Sequence, residues 1–259
     1  AIKLNPKQRA LLAMESRTLR DPAVKRVAAL SGYVQRQLAK HYALTGERVV
    51  VIPNAADVPA MTDEQKRQAR ANLHKTHRVP DGATLFVFAA QNPRLKGFDT
   101  LVKALRLLKM RDVPVVVLLA GRYRPSHEAQ LRSASVEASV RTLGSVTDMP
   151  ALYAGADVTV LPTFYDPSSK VVLESLMLGT PAISTSYNGA SDLLTPADGP
   201  PRGRVIDDPA DAQALADAMA ELCDADARRA CRDAMGEVAE QVSMQTHVAA
   251  LEQLLREAK

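Results

Sequence analysis

The chain contains no tryptophan, and only four phenylalanines and six tyrosines among its 259 residues. So few aromatic rings leave little on which the bases of single-stranded nucleic acid could stack. Cysteine is almost as scarce. Cys223 and Cys231 are the only two, and they lie eight positions apart in sequence that reads as helical. Eight helical rises separate them by about 12 Å, beyond disulfide reach. They fit a reducing cytosol and are too few for a zinc site. No apolar run approaches the ~20 residues of a membrane span, and no secretory leader is visible. Neither a Gly-x-Gly-x-x-Gly loop nor a Walker-type loop is present, which argues against a dinucleotide oxidoreductase or an ATPase. No Asp-x-Asp pair falls at a strand end. The five histidines are His41, His74, His77, His127 and His247, and they have no third ligand at zinc spacing. No metal is expected.

What is present is the composition of a globular protein: 46% apolar and 24% charged residues, enough to bury a real core. The net charge of +4 is unevenly spread. Residues 1–50 carry ten Lys or Arg and three Asp or Glu, giving +7, so the remainder sums to −3. A basic first fifth suits an anionic acceptor, a membrane surface or nucleic acid; a solvated helix face accounts for it equally well.

Periodicity and punctuation order the elements. Helices are expected over 5–20 and 33–43, with strands over 24–30 and 49–52. Ser31 is a candidate cap of the second helix, and Pro53-Asn54 closes the second strand. A polar stretch follows, helical over 63–73. Residues 85–90 and 115–120 are continuous apolar runs, as strands buried on both faces of a parallel sheet should be. Further strands are expected over 140–143, 158–161, 182–185 and 204–206. Helices are expected over 98–110, 126–133, 149–154, 169–178, 209–223, 226–241 and 244–258. Strands alternating with helices imply right-handed βαβ units: an α/β fold with a Rossmann-like parallel sheet flanked by helices. In such sheets ligands bind outside the carboxyl ends of the strands.

The most informative stretch runs from Leu161 to Asp192. An apolar strand stops at Pro162, a polar loop follows, and a helix begins at Ser168-Ser169 and ends at Gly179-Thr180-Pro181. A helix start offers unpaired N–H groups and a partial positive charge to a phosphate. Asp166 precedes that start and Glu174 lies within the helix, so a carboxylate flanks the anion site on each side. A nucleotide sugar, with phosphates in the middle and hydroxyls at both ends, matches this order. A capped core helix with two solvated acids is the alternative. Upstream, Asn92-Pro93-Arg94-Leu95-Lys96-Gly97 places two cations just past a strand end, where a diphosphate could lie. Gly121 ends the next strand, where it permits close approach of a ligand or simply a turn. Tyr187-Asn188-Gly189 reads as a turn.

Asp166-x7-Glu174, followed by Gly179-Thr180-Pro181 and Asn188-Gly189-Ala190, resembles the signature of retaining family 4 glycosyltransferases of GT-B architecture. The Tyr-Asp-Pro-Ser-Ser form is similar to a branch near the lipopolysaccharide sugar transferases. The family usually has Glu at both ends of the x7 spacing; Asp166 is one methylene shorter. The resemblance implies that Asp166 contacts the donor sugar and that Lys96 and Arg94 clamp the diphosphate. The family's usual Arg position holds Ala90 here. It also implies that Ser168, Ser169, Lys170 and Val171 present backbone N–H groups, that Glu174 accepts from the ribose, and that the main chain near Leu143 recognises the base. Asp166 and Lys96 are the candidate catalytic residues.

The implied activity is retaining, metal-independent transfer of a hexose from a nucleotide sugar, uridine-linked, to a saccharide or lipid-linked acceptor. The expected setting is cytoplasmic, with peripheral membrane contact through the basic segment and no nucleic-acid partner. The resemblance further implies a fragment. Residues 1–56 would be the remnant of an acceptor domain and its linker, 57–240 the donor-binding domain, and 241–259 a C-terminal helix. Such a chain is expected to bind donor without turnover, and to self-associate through residues 1–50, where the strand over 27–30 would have lost its sheet partners, leaving an unpaired edge. An epimerase of the same architecture and a nucleotide-binding module without activity are the alternative functions.

Overall fold

Two continuous apolar runs occupy the centre of the molecule. The computed structural model describes residues 5–257. In it β3 (Thr84–Ala90) and β4 (Val115–Gly121) are buried at every position and pair in parallel from Thr84–Val115 to Ala90–Gly121. Around them stand β5 (Val140–Gly144), β6 (Val158–Val160), β7 (Ala182–Thr185) and β8 (Gly203–Ile206). These form one six-stranded parallel sheet in the order β5-β4-β3-β6-β7-β8. The chain moves outward from β3 to β5, then returns to the other side of β3 to lay down β6. The strand order therefore reverses between β3 and β6, the place where ligand crevices form in open α/β sheets.

Helices cover both faces. α4 (Phe98–Met110) buries Leu101, Leu105 and Leu108 along one stripe, the spacing of an amphipathic helix. α3 (Asp63–His77) opens with a capping box in which Thr62 and Gln65 satisfy each other's backbone N–H groups. α5 (Pro125–Ser133), α6 (Met149–Gly155), α7 (Lys170–Met177) and α8 (Ala212–Glu221) complete the βαβ layers. The expected helix over 226–241 is two helices, α9 (Ala225–Asp233) and α10 (Val238–Gln241). Turn bonds from Met235 N–H to Arg232 O and from Val238 N–H to Met235 O take over at Gly236. Cys223 follows α8 and Cys231 lies in α9, so one helix does not carry both; the two thiols are free.

The N-terminal part contributes α1 (Pro6–Arg20), β1 (Val27–Ala29), α2 (Gly32–Tyr42) and β2 (Val49–Val51). The expectation that the first strand lacks a partner is corrected here. β1 pairs in parallel with β2, Val27 opposite Val49, and Arg48 donates to the carbonyls of Leu19, Asp21 and Val24 to close the connection. α11 (Met244–Glu257) returns toward this part. Ala56 N–H donates to Val242 O, and His247 Nδ1 lies 2.7 Å from Pro53 O. No helix among the described residues is long and apolar enough to cross a membrane.

Candidate active site

The loops that leave β3 and β6 meet across the strand-order reversal. The β3 loop folds on itself through Lys96 N–H to Asn92 O and Phe98 N–H to Pro93 O. Gly97 holds φ at +85°, and a Cβ there would stand 2.0 Å from Pro162 O, so only glycine fits. Phe164 N–H donates to Leu95 O at 2.9 Å, tying the two loops together. At their junction Lys96 Nζ donates to Asp166 Oδ2 at 2.5 Å, with 21% and 13% of the two side chains exposed. A charge-assisted bond between partly desolvated groups orients both. Arg94, by contrast, points into solvent as an exposed residue.

Asp166 is fixed from the backbone side as well. Its N–H donates to Tyr187 O and its carbonyl accepts from Gly189 N–H. Its second carboxylate oxygen accepts from Ser168 N–H at 3.1 Å. Asn188, 1% exposed, accepts from the N–H groups of Ser169 and Ala190 and donates to Ser184 Oγ. It therefore caps α7 from a different loop, which fits the turn reading of residues 187–189. The amides of Ser168 and Ser169 are thus occupied, and those of Lys170, Val171 and Val172 have no acceptor in the described residues. These three carry the positive end of α7. The helix is held in place by Ser175, whose Oγ lies 2.7 Å from Thr159 Oγ1 and 2.9 Å from Thr180 O.

A cavity of about 210 Å³ opens at the carboxyl ends of β3 and β4, lined among others by Ala90, Gly121, Val146, Tyr153 and Val171. Gly121 adopts φ +125°, and a Cβ would meet Ala90 O at 2.0 Å, so its immediate constraint is the neighbouring strand. Leu143 lines an adjoining cavity of about 780 Å³ that shares Ser145 and Val146 with the first. Glu174, half-buried one helical turn from Lys170, has its pKa raised by desolvation, partly countered by the Lys170 charge. Its own charge helps raise the phenol of buried Tyr153.

The N-terminal part completes the wall. Ser31 Oγ donates to Pro167 O at 2.7 Å, Asn54 Nδ2 to Ser168 O at 3.2 Å, and Gly32 N–H to Asp192 Oδ2 at 3.0 Å. Tyr33 packs its ring against Tyr165 and Tyr187, at 6.2 and 6.5 Å between centroids. Leu95, Phe164, Tyr165 and Tyr187 remain exposed and form an apolar rim by the Lys96–Asp166 pair. Neither this rim nor the docking by Ser31 and Asn54 carries a sequence signal, because each joins residues from distant loops.

The strand-order reversal thus gathers the Lys96–Asp166 pair, the free amides of α7 and half-buried Glu174 at the carboxyl ends of the strands. Residues 69–242 match the family Glycosyl transferases group 1, and the chain belongs to that family. It is 31% identical over 179 residues to the D-inositol 3-phosphate glycosyltransferase of Pseudarthrobacter chlorophenolicus, a match covering 66% of this chain and 41% of the relative. The fold is that of WaaG, a glycosyltransferase involved in lipopolysaccharide biosynthesis: TM-score 0.73, 20% identity, 91% of this chain and 64% of that one. It is also that of Anabaena Alr3699/HepE in complex with UDP and glucose: TM-score 0.71, 20% identity, 89% and 62% covered. The chain spans about two fifths of the length of that curated relative.

Proposed function

We propose that the crevice between β3 and β6 holds the diphosphate of a UDP-hexose, and that the whole protein transfers the hexose with retention to a saccharide or lipid-linked acceptor of the cell envelope. The observation that carries this reading is the Lys96–Asp166 pair, bonded through Ser168 N–H to the loop that starts α7, where the amides of Lys170, Val171 and Val172 are free. Lys96 and the helix start neutralise the departing diphosphate without a metal ion, a fixed-dipole form of transition-state stabilisation. Glu174 accepts from the ribose hydroxyls, and the base lies toward Leu143. Asp166 faces the hexose. The anomeric bond to the diphosphate breaks as the acceptor hydroxyl attacks from the same face, and the hydroxyl proton leaves on the departing diphosphate. The rim of Phe164, Tyr165 and Tyr187 offers aromatic faces to a sugar ring. The UDP bound by Alr3699/HepE on the same fold supports the choice of nucleotide. Calorimetric titration with UDP tests the assignment, and binding left intact by Glu174→Ala would remove it.

α1 supports a peripheral position at an anionic membrane. It buries no residue and exposes Leu11, Leu12 and Met14 beside Lys7, Arg9, Arg17 and Arg20, the composition of an interfacial helix. Sedimentation with phosphatidylglycerol vesicles should carry the chain down, and equal sedimentation of a Leu11→Asp/Leu12→Asp variant would exclude this role for α1.

A further inference from the structure

A third cavity, lined by charged side chains, lies at the opposite end of the sheet. It encloses about 510 Å³ among α3, the carboxyl ends of α6 and α7, and α9, a volume in the range of small-molecule sites. Five cationic side chains line it: Lys66, Arg67 and Arg70 from α3, and Arg228 and Arg232 from α9. Two carboxylates, Asp63 and Asp157, face them.

The charges do not balance. Asp157, 5% exposed just ahead of β6, takes both guanidinium nitrogens of Arg70 at 2.6 and 3.2 Å and the amide of Leu85 at 2.9 Å. Arg67 pairs outward with Glu64 at 2.7 Å. The side chains of Lys66 and Arg232 have no hydrogen bond or ion pair among the described residues. Arg228 Nε is buried without an acceptor, its nearest carboxylate oxygen, on Asp157, being 3.6 Å away. A buried donor left unmet is costly and rare. Crowding shows on Arg232, whose pKa is lowered by desolvation and then by the charge of Arg228. Arg228 Nη1 donates to the carbonyls of Leu222 and Cys223 at 2.8 Å each, so Nε is the donor it has left over. The carbonyl ends of α6 and α7, at about half a charge each, leave the Lys66 and Arg232 side chains without an acceptor.

We propose that this cavity binds a phosphate dianion, free or as the monoester of a small polar molecule, held by Lys66, Arg228 and Arg232 with Arg70 shared. Guanidinium groups from two helices converging on one space suit the tetrahedral oxygens of phosphate. This site is separate from the donor crevice, which lies at the carboxyl ends of the strands, whereas Asp157 stands ahead of the amino end of β6.

The test is a nuclear magnetic resonance titration of the 15N-labelled chain at low ionic strength, with inorganic phosphate in one arm and glycerol 3-phosphate in the other. Saturable shifts of the Arg228 and Arg232 Nε–H signals and of the Gly179 and Thr180 amides are expected. Tighter binding of glycerol 3-phosphate would assign a monoester, and equal binding free phosphate. Lys66→Glu and Arg232→Glu should each weaken binding about tenfold or more, the loss expected of one charge-assisted contact. Neither side chain makes a hydrogen bond or ion pair among the described residues, so neither variant should melt below the parent. Lys96→Ala should leave these shifts in place. Shifts confined to Lys96 and the first turn of α7, or a titration indifferent to both charge reversals, would overturn the proposal.

Discussion

Lys96 and Asp166 are seventy positions apart in sequence, yet their side chains meet at 2.5 Å. They meet because β3 and β6 are sheet neighbours whose connections depart in opposite directions. The pair holds an ammonium group where a diphosphate would lie, so truncating it should be felt in binding. Lys96→Ala is expected to weaken UDP about tenfold to a hundredfold, the loss of one hydrogen bond to a charged group. Asp166→Asn removes the competing carboxylate, so UDP should bind at least as well while the added affinity of a UDP-hexose over UDP disappears. Calorimetry on both variants separates the two roles.

Glu174 offers a pH signature. Burial raises its native pKa above the unfolded value, about 4.3 for a free glutamate. The native state therefore holds this proton more tightly, and its stabilising effect is present below the unfolded pKa. That effect is lost as pH rises through the raised native value, leaving a constant penalty at neutral pH. Glu174→Gln should consequently melt no lower than the parent at pH 7 and should bind uridine nucleotides worse. The difference in melting temperature between the two chains should change as pH falls through that window. A neutral-pH destabilisation by Glu174→Gln would show that the carboxylate serves the fold instead.

Asn188 joins the loop after β7 to the start of α7. Asn188→Ala leaves the amides of Ser169 and Ala190 without their acceptor in a buried place, at a cost of about 2 kcal/mol. Denaturant unfolding should show that loss, with UDP affinity falling as the start of α7 shifts. Unchanged unfolding would mean that water replaces the side chain at no cost.

Asp157 anchors the other end of the sheet, joining Arg70 of α3, Arg228 of α9 and the start of β3. Asp157→Ala leaves half-exposed Arg70, largely buried Arg228 and the Leu85 amide without their carboxylate and should destabilise by about 2 kcal/mol. Below its lowered melting point the variant should still bind UDP like the parent, since the donor crevice lies at the far end of the strands. Circular dichroism melts and calorimetry on the same samples read the two effects.

The sheet was legible because buried parallel strands are written as unbroken apolar runs, as at 85–90 and 115–120, and because Pro162, Gly179 and Pro181 punctuate the central helix. The meeting of Lys96 and Asp166 follows from their places just past two neighbouring strands. The pairing of β1 with β2 was not legible, since two three-residue strands separated by a helix leave no pattern that names a partner. The break between α9 and α10 rests on a single glycine turn inside otherwise helical sequence. The amides of Ser168 and Ser169 are taken by Asp166 and Asn188, a loop-to-loop closure with no periodicity. Asp157, a lone charge ahead of an apolar strand, gave no hint that it gathers arginines from two helices.

The central claim is that the crevice at the β3–β6 reversal is a metal-independent site for a uridine diphosphate donor. Calorimetric titration of the chain with UDP, UDP-glucose, ADP and GDP, with a chelator present, tests it most directly when run beside Lys96→Ala. The account predicts that UDP binds in preference to the purine nucleotides and that the substitution abolishes most of that affinity. UDP binding unchanged by Lys96→Ala, or appearing only when a divalent metal is restored, would contradict it.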